Sequence, residues 1–179
     1  RESTLVADNT LLGYWSEYFY PSYIPGGWMG AKGSSIIGFA FAAAVGAKIA
    51  APEKPIVGVI GDGGFQMTIQ ELGTILQSKV DIKILILNNN FLGMVRQWQQ
   101  LFFDRRYSFT EIVNPNFTAI AKGYSIDALK IEERNQLDDA LTTMLNSKGA
   151  FLLEVVVEQE ENVFPMVETG ASVSEIRLN

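Results

Sequence analysis

Neither cysteine nor histidine occurs in this chain of 179 residues. The first absence excludes a disulfide framework and any thiolate metal site. Together the two absences exclude a cysteine nucleophile, a histidine-based triad and an imidazole metal centre, so chemistry on this chain has to come mainly from a bound cofactor. Charge is sparse as well. Charged residues make up 19%, below the usual quarter, which leaves more uncharged surface than a lone soluble domain shows and points to burial against other domains or subunits. The net charge is −6 with no basic cluster, so nucleic acid is not an expected partner. No apolar run reaches membrane length: the longest, around Ile36 to Ala51, is rich in alanine and glycine and carries Lys48, so no membrane partner is expected. No secretory signal pattern opens the sequence. What is present is 47% apolar residues, enough for one domain with a sizeable core. With no repeat, low-complexity segment or internal boundary, residues 1–179 are expected to form a single domain.

The chemistry concentrates between Gly61 and Asn89. The apolar strand Pro55 to Ile60 runs into Gly61-Asp62-Gly63-Gly64-Phe65, and a second, Ile82 to Leu87, runs into Asn88-Asn89. Between them, Met67 to Gln77 has apolar residues at 69, 72, 75 and 76 and a Thr68-x-x-Glu71 box, which predicts a helix with a start signal. Strand, helix, strand in this length implies a parallel pair with a right-handed crossover. Neighbouring strands lie roughly 4.8 Å apart, so Asp62 and Asn89 can stand together at one sheet edge. A carboxylate and an amide oxygen are hard donors of the kind Mg²⁺ takes, with phosphate oxygens and water completing its shell. Gly61, Gly63 and Gly64 let backbone amides approach a phosphate. The stretch proposes a metal-bridged diphosphate site.

Gly-Asp-Gly followed at this interval by Asn-Asn resembles the cofactor signature of thiamine-diphosphate enzymes. The flanks sharpen the likeness. Asn88 to Gln99, Leu101 to Ser108 and the tail Asn162 to Val167 with Gly170-Ala171 closely resemble the large subunit of acetohydroxyacid synthase, also called acetolactate synthase. The chain corresponds to the last of that family's three domains. Because it begins at Arg1, it is expected to be the C-terminal part of a longer chain. A cytoplasmic location is expected, or an organelle if the source is a plant or fungus.

The resemblance implies roles for particular residues. Mg²⁺ would be held by Asp62, Asn89 and the backbone carbonyl of Phe91. The cofactor would be bound by Ser35, Ile37, Gly38, Gly61, Asp62, Gly63, Gly64, Asn89, Leu92, Gly93 and Met94. Ile37, placed in the first turn of a helix over Ile36 to Ala50, would sit under the thiazolium ring and bend the cofactor. Met94 and Trp98, four apart on a helical face, would line the substrate mouth; their alternative reading is a hydrophobic anchor. Arg96, Arg105 and Arg106 are read as solvated or paired structural charges. Leu11-Leu12 depart from the family, which has a polar pair there that helps hold the diphosphate.

Elsewhere, Leu5 to Asp8 reads as a short strand and Gly26 to Ser35 as a flexible loop. The aromatics Tyr14, Trp15, Tyr18, Phe19, Tyr20 and Tyr23 read as packing or interface surface. Phe91 to Phe103 reads as a loop leading into a helix, Asn116 to Tyr124 as a short helix and Ser125 to Ile131 as a strand. A helix starts at Glu132, and Phe151 to Val157 is a buried strand. This alternation implies a doubly wound α/β fold, with a mainly parallel sheet flanked by helices and a ligand at its carboxyl edge.

The implied reaction is the condensation of pyruvate with a second 2-oxo acid, with loss of CO₂, to acetolactate or acetohydroxybutyrate in branched-chain amino-acid biosynthesis. The resemblance further implies that other domains of the same chain and a second subunit complete the site, including the glutamate that activates the cofactor. It also implies FAD on the full-length enzyme but not on this domain, a homo-oligomer, and a regulatory small subunit as a possible partner. The isolated domain is expected to be inactive. Three other readings stay open: another thiamine-diphosphate 2-oxo acid decarboxylase or carboligase, a separately encoded cofactor-binding subunit, and a non-catalytic domain.

Overall fold

The computed structural model describes residues 3–178. Among them six strands form one wholly parallel sheet: β1 (Thr4–Ala7), β2 (Trp28–Gly30), β3 (Ile56–Gly61), β4 (Lys83–Asn88), β5 (Asp127–Ile131) and β6 (Phe151–Val156). Their spatial order is β2-β1-β3-β4-β6-β5. The helices are α1 (Leu11–Phe19), α2 (Phe39–Ala50), α3 (Asp62–Thr68), α4 (Glu71–Ser78), α5 (Gly93–Phe102), α6 (Phe117–Gly123) and α7 (Leu137–Asn146). The expected α/β architecture is therefore present.

Helices cover both faces because the central strands carry apolar side chains on both, as buried parallel sheets require. On one face Ile60, Ile84, Ile86 and Leu152 pack against Ala40, Phe41 and Ala44 of α2, Phe65 of α3, Leu72 and Ile75 of α4, and Phe117 and Ala121 of α6. Small residues set the spacing: a Cβ added to Gly58 would stand 3.2 Å from that of Ala44. Phe65 ties three helices together, its ring 5.0 Å from Phe41 and 5.3 Å from Phe117. The opposite face has a smaller core in which Ala140 and Met144 of α7 meet Ile131, Leu153 and Val155.

From β1 the chain moves outward to β2; from β3 it moves the other way to β4. The carboxyl ends of β1 and β3 therefore flank a topological switch point, where open α/β sheets bind ligands. Asp8 follows one end and Asp62 the other.

Three local expectations need correction. The helix expected over 67–77 starts earlier, at Asp62, breaks at Ile69-Gln70, and resumes at Glu71. Its Thr68-x-x-Glu71 box is not made: the Thr68 hydroxyl donates to the carbonyls of Gly38 and Gly64, and Glu71 accepts from Thr74. The glycine turn closes straight into α3, and the new start at Glu71 has Gln70, not Thr68, at its N-cap. Within the Gly26 to Ser35 loop lies β2, an edge strand paired to β1. The helix expected from Ile36 begins at Phe39, because Gly38 adopts φ 89° and stops any earlier turn. Arg96 takes the paired form of its reading: it is 2% exposed, its Nη2 donates to Asn162 Oδ1 at 3.0 Å and its Nη1 lies 3.9 Å from Glu160.

Candidate cofactor and metal site

Asp8 organises the first corner. It is 2% exposed, and its carboxylate accepts from the amides of Gly38 (2.9 Å) and Ala40 (3.3 Å). It thereby satisfies two free donors at the start of α2. Gly64 packs directly on this carboxylate: a Cβ there would fall 2.1 Å from Asp8 Oδ2. The close approach explains the glycine without reference to any ligand. Ile37 Cγ2 lies 3.4 Å from the same point, so Ile37 covers the glycine turn from the loop ahead of α2.

Asp62 and the asparagine loop form the second corner. In the β3–β4 register Gly61 lies opposite Leu87, which sets Asp62 level with Asn88, and Asn89, one residue further on, lines the same cavity as Asp62. Asp62 is 1% exposed and Asn89 8%. Burial pushes the Asp62 pKa up, while the Asn114 side chain and the amides of Asp62, Gly63 and Asn90 pull against that shift. Asn88 Oδ1 accepts from Asn90 N (3.0 Å) and Asn89 Oδ1 from Phe91 N (3.1 Å). These consecutive asparagine turns hold Asn90 at φ 57°, a conformation asparagine tolerates better than most residues.

A cavity of about 200 Å³ opens between the two corners. It is lined by Asp62, Gly61, Gly63, Gly64, Asn89, Phe91 and Ile37, together with Thr10, Leu11, Leu12, Trp15, Leu87, Leu92 and Val157 and the exposed Glu158 and Glu161. No lysine or arginine is among these described lining residues. The donor set fits a hard divalent cation bridging to an anionic ligand: one buried carboxylate, one amide oxygen, and a turn that carries no side chain at Gly61, Gly63 and Gly64. At Gly63 an added Cβ would meet Leu92 Cδ2 at 2.7 Å, so a side chain there has to displace the end of Leu92.

The structure gathers most of the residues singled out in the sequence, though not all. Gly38 is buried against Gly64 at the back of the turn, and Gly93 opens α5 with Leu11 packed on it: a Cβ at 93 would meet Leu11 within van der Waals overlap. Ser35 instead lines a separate, smaller cavity with Asp8 and Lys32, its carbonyl accepting from Asn9. Met94 and Trp98 lie outside the cavity wall; the Trp98 ring packs 4.9 Å from Phe102. Leu11 and Leu12 sit in the first turn of α1 and give the cavity an apolar side. Three residues outside the motifs prove central: Asp8, Asn114 and Glu154. Asp8 was legible only as a strand end. Asn114 and Glu154 reach the site through long-range hydrogen bonds that sequence spacing does not reveal.

A doubly wound parallel sheet with a glycine turn and a buried carboxylate at its switch point defines the class: an α/β domain that takes its ligand at the carboxyl edge. Residues 8–155 match the family described as thiamine pyrophosphate enzyme, C-terminal TPP binding domain, and the chain belongs to that family. It is 46% identical over 153 residues to the acetolactate synthase isozyme 2 large subunit of Escherichia coli, an alignment covering 85% of this chain and 28% of that protein. It is 41% identical over 165 residues to the mitochondrial acetolactate synthase of Schizosaccharomyces pombe, covering 92% and 25%. The large subunit from Cyanidium caldarium is 39% identical over 153 residues, covering 84% and 26%. The chain thus spans about a quarter of the length of these relatives.

Proposed function

We propose that this chain supplies the diphosphate- and Mg²⁺-binding half of an acetolactate synthase site. The observation that carries this reading is that Asp62 and Asn89 line one cavity whose lining offers no cationic side chain. A diphosphate entering there has only backbone amides and a metal ion to offset its charge. Asp62, Asn89 and the Phe91 carbonyl would hold Mg²⁺, and the amides of the Gly61–Gly64 turn and the start of α5 would receive the diphosphate oxygens.

Bound thiamine diphosphate supplies the electron sink for decarboxylating a 2-oxo acid and joining its two-carbon remainder to a second one. The residues here bind and orient. Ile37, resting on Gly64 at the cavity wall, would supply apolar bulk against a bound cofactor and so limit the shapes it can take. Trp15, Leu11, Leu12, Leu87 and Leu92 exclude water from the diphosphate corner, which strengthens every polar contact made in it. The remaining three quarters of a protein of the relatives' length would provide the activating carboxylate, further substrate contacts and any FAD site, from the same chain and a partner subunit.

The test uses the full-length protein with pyruvate, thiamine diphosphate and Mg²⁺, with products identified in the presence and absence of 2-oxobutyrate. Acetolactate, giving way to acetohydroxybutyrate when both acids are present, supports the reading. Acetaldehyde alone supports the second reading, a different 2-oxo acid decarboxylase or carboligase, which the apolar Leu11-Leu12 wall favours. No turnover of any 2-oxo acid would contradict both.

A further inference from the structure

We propose that Asn114 is a positioning residue that sets Asp62 and the asparagine loop in the one arrangement able to receive Mg²⁺ and a diphosphate. The inference rests on the metal–diphosphate reading above. Asn114 lies in neither motif. Its Nδ2 donates to three oxygens drawn from two strand ends: Asp62 Oδ2 (2.7 Å), Asn88 Oδ1 (3.0 Å) and Asn90 Oδ1 (3.0 Å). One carboxamide therefore joins the turn after β3 to the loop after β4, the two pieces that must sit at a fixed separation to share a cation.

The direction of that amide is determined by its neighbours. Gln66 Nε2, on α3, donates to Asn114 Oδ1 at 2.7 Å. On the other side Glu154 of β6, buried and acceptor-only when ionised, takes the Asn88 amide hydrogen at 2.8 Å. That contact turns the Asn88 oxygen toward Asn114. Flipping the Asn114 amide would set its oxygen against three other oxygens and face two donor groups at Gln66, so the observed orientation is the only satisfied one. Glu154, Asn88, Asn114 and Asp62 form a polar chain crossing from β6 to β3.

Local pairing delivers Asn114 to this position. Leu92 N donates to Thr110 O (2.7 Å) and Ile112 N to Asn90 O (3.0 Å), while Phe91 and Glu111 form an antiparallel bridge. Residues 110–112 thus run back along the asparagine loop and place Asn114 behind Asp62. Asn114 does not line the cavity; it acts through the carboxylate that does. Partners of this kind fix the geometry of metal ligands, and losing one typically costs about 10–100-fold in metal affinity.

The test is calorimetric titration of the full-length protein with thiamine diphosphate at fixed Mg²⁺, and with Mg²⁺ at fixed cofactor, for wild type, Asn114→Ala, Asn114→Asp and Gln66→Ala. Asn114→Ala is expected to weaken Mg²⁺-dependent cofactor binding by about 10–100-fold. Asn114→Asp, which keeps the shape and loses the donor, should do at least as badly. A role in shape alone would leave the isostere near wild type. Gln66→Ala removes only the orienting contact and should give a smaller loss of the same kind, which keeps the test alive if the Asn114 variants do not fold. Half-activation by Mg²⁺ should move while kcat at saturating Mg²⁺ and cofactor is largely kept. Wild-type affinity in the Asn114 variants, or in Asn114→Asp alone, overturns the inference and leaves the metal–diphosphate reading standing. Absence of Mg²⁺-dependent binding in the wild type overturns both.

Discussion

Burial of Asp62 disfavours its ionised form. Burial raises its pKa above the ordinary 3.8, despite hydrogen bonds from Asn114 and backbone amides. A carboxyl whose folded pKa exceeds its unfolded one contributes stability that is fully present below the unfolded value and is lost as pH rises through the folded value. Near neutral pH the ionised group is therefore a net cost, offset only when a cation binds. Asp62→Asn should accordingly raise the melting temperature of the metal-free protein at pH 7, with the gain shrinking as the pH falls toward 3.8. The same variant should lose the further rise that Mg²⁺ with thiamine diphosphate gives the wild type. Thermal scans across pH, with and without ligand, check both halves. Gly64 is the second residue with a sharp expectation. A Cβ 2.1 Å from Asp8 Oδ2 cannot be accommodated without moving a buried cap, so Gly64→Ala should cost about 1–3 kcal/mol, read from its urea midpoint at unchanged slope.

Among the elements, α2 depends most on a contact outside itself. Its N-cap is Gly38, which brings no capping side chain, and the loop before it holds Ser35 at φ 50°. Asp8, 30 residues away from Gly38, does the capping across the switch point. Asp8→Ala should destabilise by about 1–2 kcal/mol, and hydrogen exchange should show faster opening of the first turn of α2 ahead of the rest of the helix. The same element shows where sequence reading succeeds and stops. The turns at Gly61–Gly64 and Asn88–Asn89 were legible because glycine and asparagine mark the backbone there and the flanking strands are unbroken apolar runs. Strand β2 was hidden because Trp28–Gly30 is three residues of edge strand between glycine-rich flanks. Helix α1 was hidden because its aromatics do not separate into a buried and an exposed stripe. The Thr68-x-x-Glu71 box was a correct pattern in a wrong place, its hydroxyl drawn off to Gly38 and Gly64. Asn114 was out of reach for another reason: it joins the site 24 residues beyond Asn90 through a loop whose path only tertiary pairing decides.

At the scale of the molecule, two faces look unfinished. Phe19 and Phe109 are 72% and 96% exposed, and the exposed Glu158 and Glu161 line the Asp62 cavity. Single exposed hydrophobics are ordinary, but these stand in a chain that spans about a quarter of its relatives, and in a protein of the relatives' length further domains would be available to cover them. The isolated 179-residue chain should therefore self-associate at concentrations where the full-length protein keeps one defined size, a difference sedimentation velocity resolves. Charge sets the other whole-molecule property. With a net charge of −6 and acidic groups in the cavity lining, cofactor affinity should vanish in a chelator and return with added Mg²⁺.

The most direct test of the central claim is a crystal structure of the full-length protein grown with thiamine diphosphate and Mn²⁺ in place of Mg²⁺, with anomalous difference density calculated at the manganese edge. The account predicts a single strong peak within bonding distance of the Asp62 carboxylate, the Asn89 amide oxygen and the Phe91 carbonyl, bridging to the diphosphate. Cofactor bound in this cavity without a metal peak there, or a peak whose ligands exclude Asp62, would contradict it.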